Sequence, residues 1–495
     1  MTGTSASAPA AADNRPVIIG VGQYTHRIES LNDVREPVDL LEEALRTALD
    51  DTGSSNAAGA LEQLGVVQGL WSYPDPGRTV LDRVGVGAAR SFTIEMGGNM
   101  LQAALLDAAN QIAAGSLQMA AVSGTEAHYS RKKLKAAGEK FAMSGTDLAP
   151  GERWGPVLDM ENDHEEANGF DRPFRVYSLF ESALRSAAGR SVDDHRAVLG
   201  DLWSRFSAVA SSNPHAWTQR ALTSDEVAAA TAANRMVSFP YTKSMIANPA
   251  VNQAAVIVLA SAGKARELGV PADRCVFIGP AASANDTLRF SNRNRFDESP
   301  AVDAIGTSVM ARAEMTATEF DHIDLYSCFP SMVQISAKAL GLPLDRDLTV
   351  TGGLSFFGGP LNSYVAHAIV STVERLRADP ATTGLVHGNG GFCTKHNLVA
   401  YAGDPDRFAY GHDDLRGEVD LSPRHVDEAF TGTATIESAT VVHDRDTAPL
   451  GLATLLADDG ARALAQLAPG DALELEQGEP VGRRVDVDSA GLAHL

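Results

Sequence analysis

The stretch EMGGNMLQAALLDAANQIAAGSLQMAAVSGTEAHYS, residues 95–130, decides how the rest of the chain is read. It opens on the Gly97-Gly98 turn and runs into an alanine-rich apolar segment with helical spacing that stops at Gly115. LQMAAVSGTEA follows, a short run that is apolar on both alternations and so reads as a strand covered on both faces. Upstream, PVIIGVGQYTHR (16–27) and GVVQGLWSY (65–73) read as strands. Between them DLLEEALRTALDDTG (39–53) has helical spacing and a glycine stop. Strands alternating with helices predict an α/β protein with mainly parallel sheets.

Residues 127–245 break that rhythm. They hold a basic run (Arg131, Lys132, Lys133, Lys135), a Trp- and acid-rich loop, and long helices such as VDDHRAVLGDLWSRFSAVAS (192–211). From ANPAVNQAAVIVLAS (247–261) the alternation resumes, continues through FDHIDLYSCFPSMVQISAKALGLP (320–343) and ends near Tyr401. The middle block is therefore an insertion in an α/β core. Met100-Leu101-Gln102 is echoed by Met332-Val333-Gln334, each opening a helix after a buried strand, which hints at a duplicated core. After the polar segment DPDRFAYGHDDLRGE (404–418) come short strand-like runs with turn signals every 8–12 residues, TGTATIESATVVHDRD (431–446) among them. They predict a small barrel of about five strands. The expected division is a disordered tail over 1–15, a first half over 16–126 with 246–270, an inserted loop domain over 127–245, a second half over 271–410 and a barrel domain over 411–495.

With 41 basic against 63 acidic residues, the formal charge of −22 argues against binding nucleic acid or an anionic membrane. No apolar run reaches the roughly 18–20 residues a membrane span needs. The N-terminal MTGTSASAPAAADNRP lacks the basic and apolar regions of a secretory signal. Three scattered cysteines, Cys275, Cys328 and Cys393, suggest no disulfide framework and no metal site, and a reducing cytoplasm is the expected setting.

Four glycine-bearing segments stand near predicted strand ends: residues 95–100, 324–329 (DLYSCF), 352–362 (GGLSFFGGPLN) and 386–393 (VHGNGGFC). Glycine lets a backbone approach a ligand closely, and helix N-termini offer unpaired N–H groups to developing negative charge. A site built from such turns suits an oxyanion or enolate.

With these segments in order, residues 16–410 resemble the thiolase superfamily, most closely the sterol-carrier-protein-type thiolases and their degenerate relatives. The resemblance implies a duplicated thiolase fold, two similar α/β halves in layered α-β-α-β-α packing. Where that family opens its buried helix with a Cys-Gly-Ser-Gly-Leu-Gln-Ala turn, this chain reads Gly97-Gly98-Asn99-Met100-Leu101-Gln102-Ala103. The nucleophile position thus falls on Gly97. The His-Asp-Cys-Phe box falls on Tyr326-Ser327-Cys328-Phe329. The Gly-His-Pro-Leu-Gly box falls on Gly358-Gly359-Pro360-Leu361-Asn362, with Gly359 replacing the oxyanion histidine. The late Cys-x-Gly-Gly-Gly turn falls on His387-Gly388-Asn389-Gly390-Gly391. Thiolytic cleavage needs a thiolate to form an acyl-enzyme, and glycine offers nothing to acylate.

The resemblance therefore implies a protein that binds coenzyme A or acyl-CoA in lipid or steroid metabolism, as monomer or homodimer, without ordinary thiolase activity. The C-terminal block resembles the small OB-fold partners of some thiolase-like subunits, here fused in cis. Some of those assemblies split 3-hydroxyacyl-CoA by retro-aldol reaction with a tyrosine acid/base, so a C–C lyase using Tyr326 or Tyr364 is an alternative. A residual acyltransferase using Cys328 is another.

The expected catalytic groups are Tyr326, Cys328 and His387, with His387 the neighbour that would activate the tyrosine; Asn389 and the Gly390 backbone would make oxyanion contacts. Each has a plainer reading, Tyr326 as a core residue and Cys328 as a buried small hydrophobe. Arg131, Lys132 and Lys133, with Asn389, are the expected CoA contacts; a solvated helix face is the plainer reading of that basic cluster. Cys393 reads as structural, and Lys395 and His396 as surface groups or groups behind the site.

Overall fold

The computed structural model describes residues 12–495 apart from 161, 446 and 469. The first half contains strands β1 (Pro16–Thr25), β2 (Gln63–Val67), β3 (Arg90–Ile94), β4 (Met119–Ala127) and β5 (Asn252–Ser261). The second contains β6 (Val276–Asn285), β7 (His322–Asp324), β8 (Thr383–Gly390) and β9 (Lys395–Ala402). Strand order is β3-β2-β4-β5-β1 in the first half and β7-β8-β9-β6 in the second. Aligning the second half as strands one, two, four and five gives the first half's order with its third strand left out. The halves join where β1 meets β6, through Val17 opposite Phe277 and Ile18 opposite Val276.

Helices occupy matching places. In the first half α1 (Pro37–Asp51), α2 (Pro76–Arg83) and α3 (Met100–Ala113) follow strands one, two and three. The basic run forms α4 (His128–Ala136), and the inserted block adds α5 (Pro173–Ala187) and α6 (Val192–Ser212). The second half carries α7 (Pro300–Ala313), α8 (Pro330–Leu340) and α9 (Tyr364–Ala378). The Met-x-Gln echo therefore pairs the wrong helices: by position α8 answers α2, and the counterpart of α3 is α9. Both α3 and α9 lie in the central core, buried along most of their lengths. Alanines at 104, 108 and 109 let α3 sit close to the strands around it. On β1, Val17 and Ile19 face the outer layer of α1 while Ile18 and Val21 face the central layer. Layers of helix, sheet, central helices, sheet and helix result.

Strands β10 (Gly432–Val442), β11 (Leu450–Leu456), β12 (Arg462–Leu467), β13 (Arg484–Val487) and β14 (Leu492–His494) close into a five-stranded barrel, β10 pairing with both β11 and β13. Two boundaries are corrected. Gly411–Asp414 pairs in parallel with β6 and so extends the α/β sheet rather than the barrel, whose strands start at Gly432. The expected tail over 1–15 lies outside the described residues up to 11, but Ala12–Asn14 forms a turn of 3-10 helix and Asp13 pairs with Arg266. The inserted block also reaches the barrel, where Ser238 pairs with Val442. Arg462 of β12, fully buried, ties the barrel to the body: it binds Glu437 with Nε at 2.7 Å and donates from Nη1 to the Ser291 carbonyl at 2.7 Å.

Candidate active site

All four glycine-bearing segments converge on one cavity of about 690 Å³. The turn before α3 contributes Met96, Gly97 and Gly98, and the exit of β7 contributes Tyr326, Cys328 and Phe329. Gly359, Leu361 and Asn362 come from the turn before α9, and Asn389, Gly390, Gly391 and Lys395 from the β8–β9 hairpin. The inserted block closes the wall with Pro173, Phe174 and Tyr177. Among the described residues no carboxylate lines this cavity, and Lys395 is its one basic residue.

The glycine turn is built to its shape. Gly97 has φ +150°, a conformation side-chain-bearing residues rarely adopt. A Cβ there would lie 2.7 Å from Met100 Cγ and 2.8 Å from Lys395 Nζ. At Gly98 a Cβ would meet the Tyr326 hydroxyl at 2.3 Å and the Asn389 carbonyl at 2.4 Å. The next residue, Asn99, starts α3 without capping it; its amide donates instead to Asn397 Oδ1 at 2.9 Å. The first N–H groups of this central helix thus lack a side-chain cap at the end that borders the cavity.

Burial, reinforced by the neighbouring Cys328, pushes the Tyr326 hydroxyl above the usual tyrosine range, so at neutral pH it is a proton donor. Burial likewise pushes the Cys328 thiol up to about 12, more than the Tyr177 hydroxyl beside it offsets. That thiol stays protonated at neutral pH, which disfavours it as a nucleophile. Asn389 donates from Nδ2 to the Tyr177 hydroxyl at 3.0 Å, and its buried Oδ1 has no partner among the described residues. Leu361 lies in the left-handed region at φ 48°, a strained conformation for a bulky residue and one that concentrates at functional sites.

Several expected residues sit elsewhere. His387 is fully buried and does not line the cavity; its Nε2 lies 3.1 Å from His396 Nδ1 and its Nδ1 3.3 Å from Ser336 Oγ. It shares a strand face with Asn389 but sits two residues, about 7 Å, further along the strand. Tyr364 is also buried away from the cavity, bonded to Thr351 Oγ1 at 2.7 Å and Asp324 Oδ1 at 3.1 Å. Arg131, Lys132 and Lys133 lie on α4 and do not line this cavity. Arg131 instead borders a separate groove of about 820 Å³ with Trp71, Phe141 and Met143, and Lys132 and Lys133 are exposed. Lys395 and His396 are both buried rather than superficial, and Lys395 is a cavity residue the sequence reading missed.

Behind the hairpin lies a charged cluster. Asp286 pairs with Arg293 at 3.4 Å and with His396 Nε2 at 3.4 Å. Asp286, Cys393 and His396 place one ligand atom each within 4.8 Å of the others, a grouping sequence spacing did not reveal. The carboxylate already has the Arg293 guanidinium as its cation, so an internal ion pair explains the cluster without a metal. Burial alone would lower His396, but hydrogen bonds to Asp286 and Cys393 prevail and hold it at about 9. Protonated His396 then donates to both Asp286 and His387. His387 is kept neutral by burial and by the adjacent charge. Since His396 gains proton affinity on folding, its stabilisation is complete below the unfolded histidine pKa of about 6.5 and is lost as pH rises through 9. Urea unfolding midpoints should fall between pH 6.5 and 9, with a loss on the order of 3 kcal/mol, and His396→Gln should flatten that limb.

Duplicated α/β halves around two central helices, a cavity at the N-terminus of one of them and a closed barrel at the C-terminus together define a thiolase-like fold. Searched among solved structures, the chain is similar to a monomeric SCP2-thiolase-like protein type 1 from Mycobacterium smegmatis, with 29% identity and a TM-score of 0.83 over 97% of this chain and 98% of that one. It also matches the Ltp2–ChsH2(DUF35) aldolase (17% identity, TM-score 0.61, 80% of this chain and 100% of that one). An acetyl-CoA acetyltransferase from Syntrophomonas wolfei matches at 16% identity and TM-score 0.55, over 79% of this chain and 99% of that one. The last two likenesses speak to fold alone. No protein-family model and no curated protein matches the sequence.

Proposed function

We propose that the cavity holds the acyl part of a coenzyme A thioester of lipid or steroid metabolism, and that the protein does so without forming an acyl-enzyme on a cysteine. The observation that carries this reading is the state of position 97. Gly97 lines the cavity at the start of the central helix, and the space a side chain there would fill is taken by Met100 and Lys395. In this reading Gly97 stands where a thiolase keeps its nucleophile and Gly359 where it keeps its oxyanion histidine. The remaining cavity thiol, Cys328, is protonated and so a poor substitute.

A cavity of about 690 Å³ with few polar groups suits an aliphatic or steroid chain. The Tyr326 hydroxyl, protonated on the cavity wall, can donate to a thioester oxygen. In this reading the phosphates of the cofactor would stay outside this mostly apolar cavity. Incubation with long-chain acyl-CoA followed by peptide mass spectrometry tests the second half of the reading. The expected result is no acyl group on Cys328; a thioester adduct there would revive the acyltransferase alternative.

A retro-aldol lyase keeps one supporting observation: the Tyr326 hydroxyl abuts the Gly98 turn, where it would protonate an enolate. Release of a ketone or aldehyde with a shortened acyl-CoA distinguishes that lyase from a binding protein. Among the described residues no helix is long and apolar enough to cross a membrane. The free cysteines fit the reducing cytoplasm that this reading assumes, and the chain would act as a monomer or homodimer.

A further inference from the structure

Lys395 is unusual in three respects. Only 4% of it is exposed. Among the described residues no carboxylate comes within ion-pairing distance, and its one hydrogen bond runs from Nζ to the Met96 carbonyl at 3.3 Å. It borders the Gly97 cavity on one side and, on the other, a second cavity of about 360 Å³ that also holds Asp107, His412 and Asp414. Its Nζ lies 2.8 Å from where a Gly97 Cβ would be, while the Tyr326 hydroxyl flanks the next residue, Gly98. A buried ammonium without a counterion is expensive, so such a position favours the neutral amine. Burial accordingly draws its pKa below the usual lysine value.

We propose that Lys395 is a nucleophilic amine that captures an aldehyde or ketone admitted to the cavity as an imine. The neutral Nζ adds its lone pair to the carbonyl carbon; the oxygen takes a proton from the Tyr326 hydroxyl, which recovers one from the nitrogen, to give a carbinolamine. Loss of that oxygen as water, carrying the second Nζ proton, leaves a C=N bond between Nζ and the former carbonyl carbon. The Tyr326 hydroxyl, held in its protonated form, is the adjacent donor for the oxygen, and no redox partner is needed. The inference concerns the same cavity as the proposed thioester site but does not require that a thioester be the ligand.

The test is reductive trapping on the full chain at pH 7 with cyclohexanone and sodium cyanoborohydride, read by peptide mapping. Because burial favours the neutral amine, Lys395 should be alkylated faster than exposed Lys132 or Lys133. Its labelling rate should reach half-maximum at a lower pH than an ordinary lysine's, and the label should vanish in Lys395→Met with the thermal midpoint of that variant confirming its fold. Labelling of Lys132 and Lys133 with Lys395 unmodified, or an ordinary lysine pH profile, would overturn the inference. A saturating long-chain acyl-CoA separates the two ideas: it should slow Lys395 labelling, and labelling that persists unchanged counts against the thioester ligand while leaving the reactive amine established.

Discussion

Gly359→Phe should weaken acyl-CoA binding severely while leaving the protein folded. Gly359 borders the cavity, and unlike Gly97 and Gly98 it has room for a side chain. A Cβ there would find Ala247 Cβ at 3.4 Å and the Asn248 carbonyl at 3.5 Å, which are ordinary contacts. The phenyl ring would then occupy volume that the acyl chain needs, beside Ala247 and Leu354, which line the same space. Losing that burial costs about 25 cal/mol for each Å² of apolar surface, so affinity should fall by roughly a hundredfold or more. Calorimetric titration measures the loss, and circular dichroism with a thermal melt checks the fold. Unchanged affinity would mean that the ligand lies elsewhere.

The largest stability effect is expected at Arg293. It is 3% exposed and donates to the Cys393 carbonyl at 2.7 Å and the Glu298 carbonyl at 2.8 Å while it pairs with Asp286. Arg293→Met strands both carbonyls and leaves Asp286 with His396 as its remaining cationic partner. Removing one member of such a buried pair costs about 3–5 kcal/mol, which a urea titration at pH 7 would read as a large drop in midpoint. Because the hairpin turn at Cys393 is one of its anchors, the variant should also weaken ligand binding. Adding Asp286→Asn should recover part of the stability, since the orphaned charge is then gone. A double variant less stable than the sum of the two singles would contradict this assignment of the cost.

Much of the architecture was legible because it rests on patterns with a physical period. The continuous apolar run that opens β1 and the alanine-rich spacing of α3 follow from burial between layers, and the short strands of the barrel announce themselves by their turns. Internal duplication was legible only in outline. Met100-Leu101-Gln102 and Met332-Val333-Gln334 look alike as strings, yet equivalence is a matter of position between strands, and α9 (Tyr364–Ala378) matches α3 without resembling it.

The site shows the same division. Glycine turns at strand ends marked the four segments, and the resemblance to the thiolase superfamily singled out Gly97, Tyr326, Cys328, Gly359 and Asn389 within them; the fold brings all five to one cavity. His387 was misplaced because a strand carries Asn389 and His387 on one face but at different depths. Lys395 was missed because lysine is almost always exposed. The available signal was its place in KHNLVAYA, directly after a glycine-rich turn and paired opposite Gly390 in a strand buried on both faces.

Calorimetric titration of the unmodified protein with free coenzyme A, a long-chain acyl-CoA and a steroid thioester, at several temperatures, bears most directly on the central claim. Saturable binding of a thioester at one site is predicted, with a negative heat-capacity change from apolar burial and much weaker binding of free coenzyme A. Heat-silent titrations confirmed by an independent equilibrium method, or equal affinity for free coenzyme A and its thioesters, would contradict it.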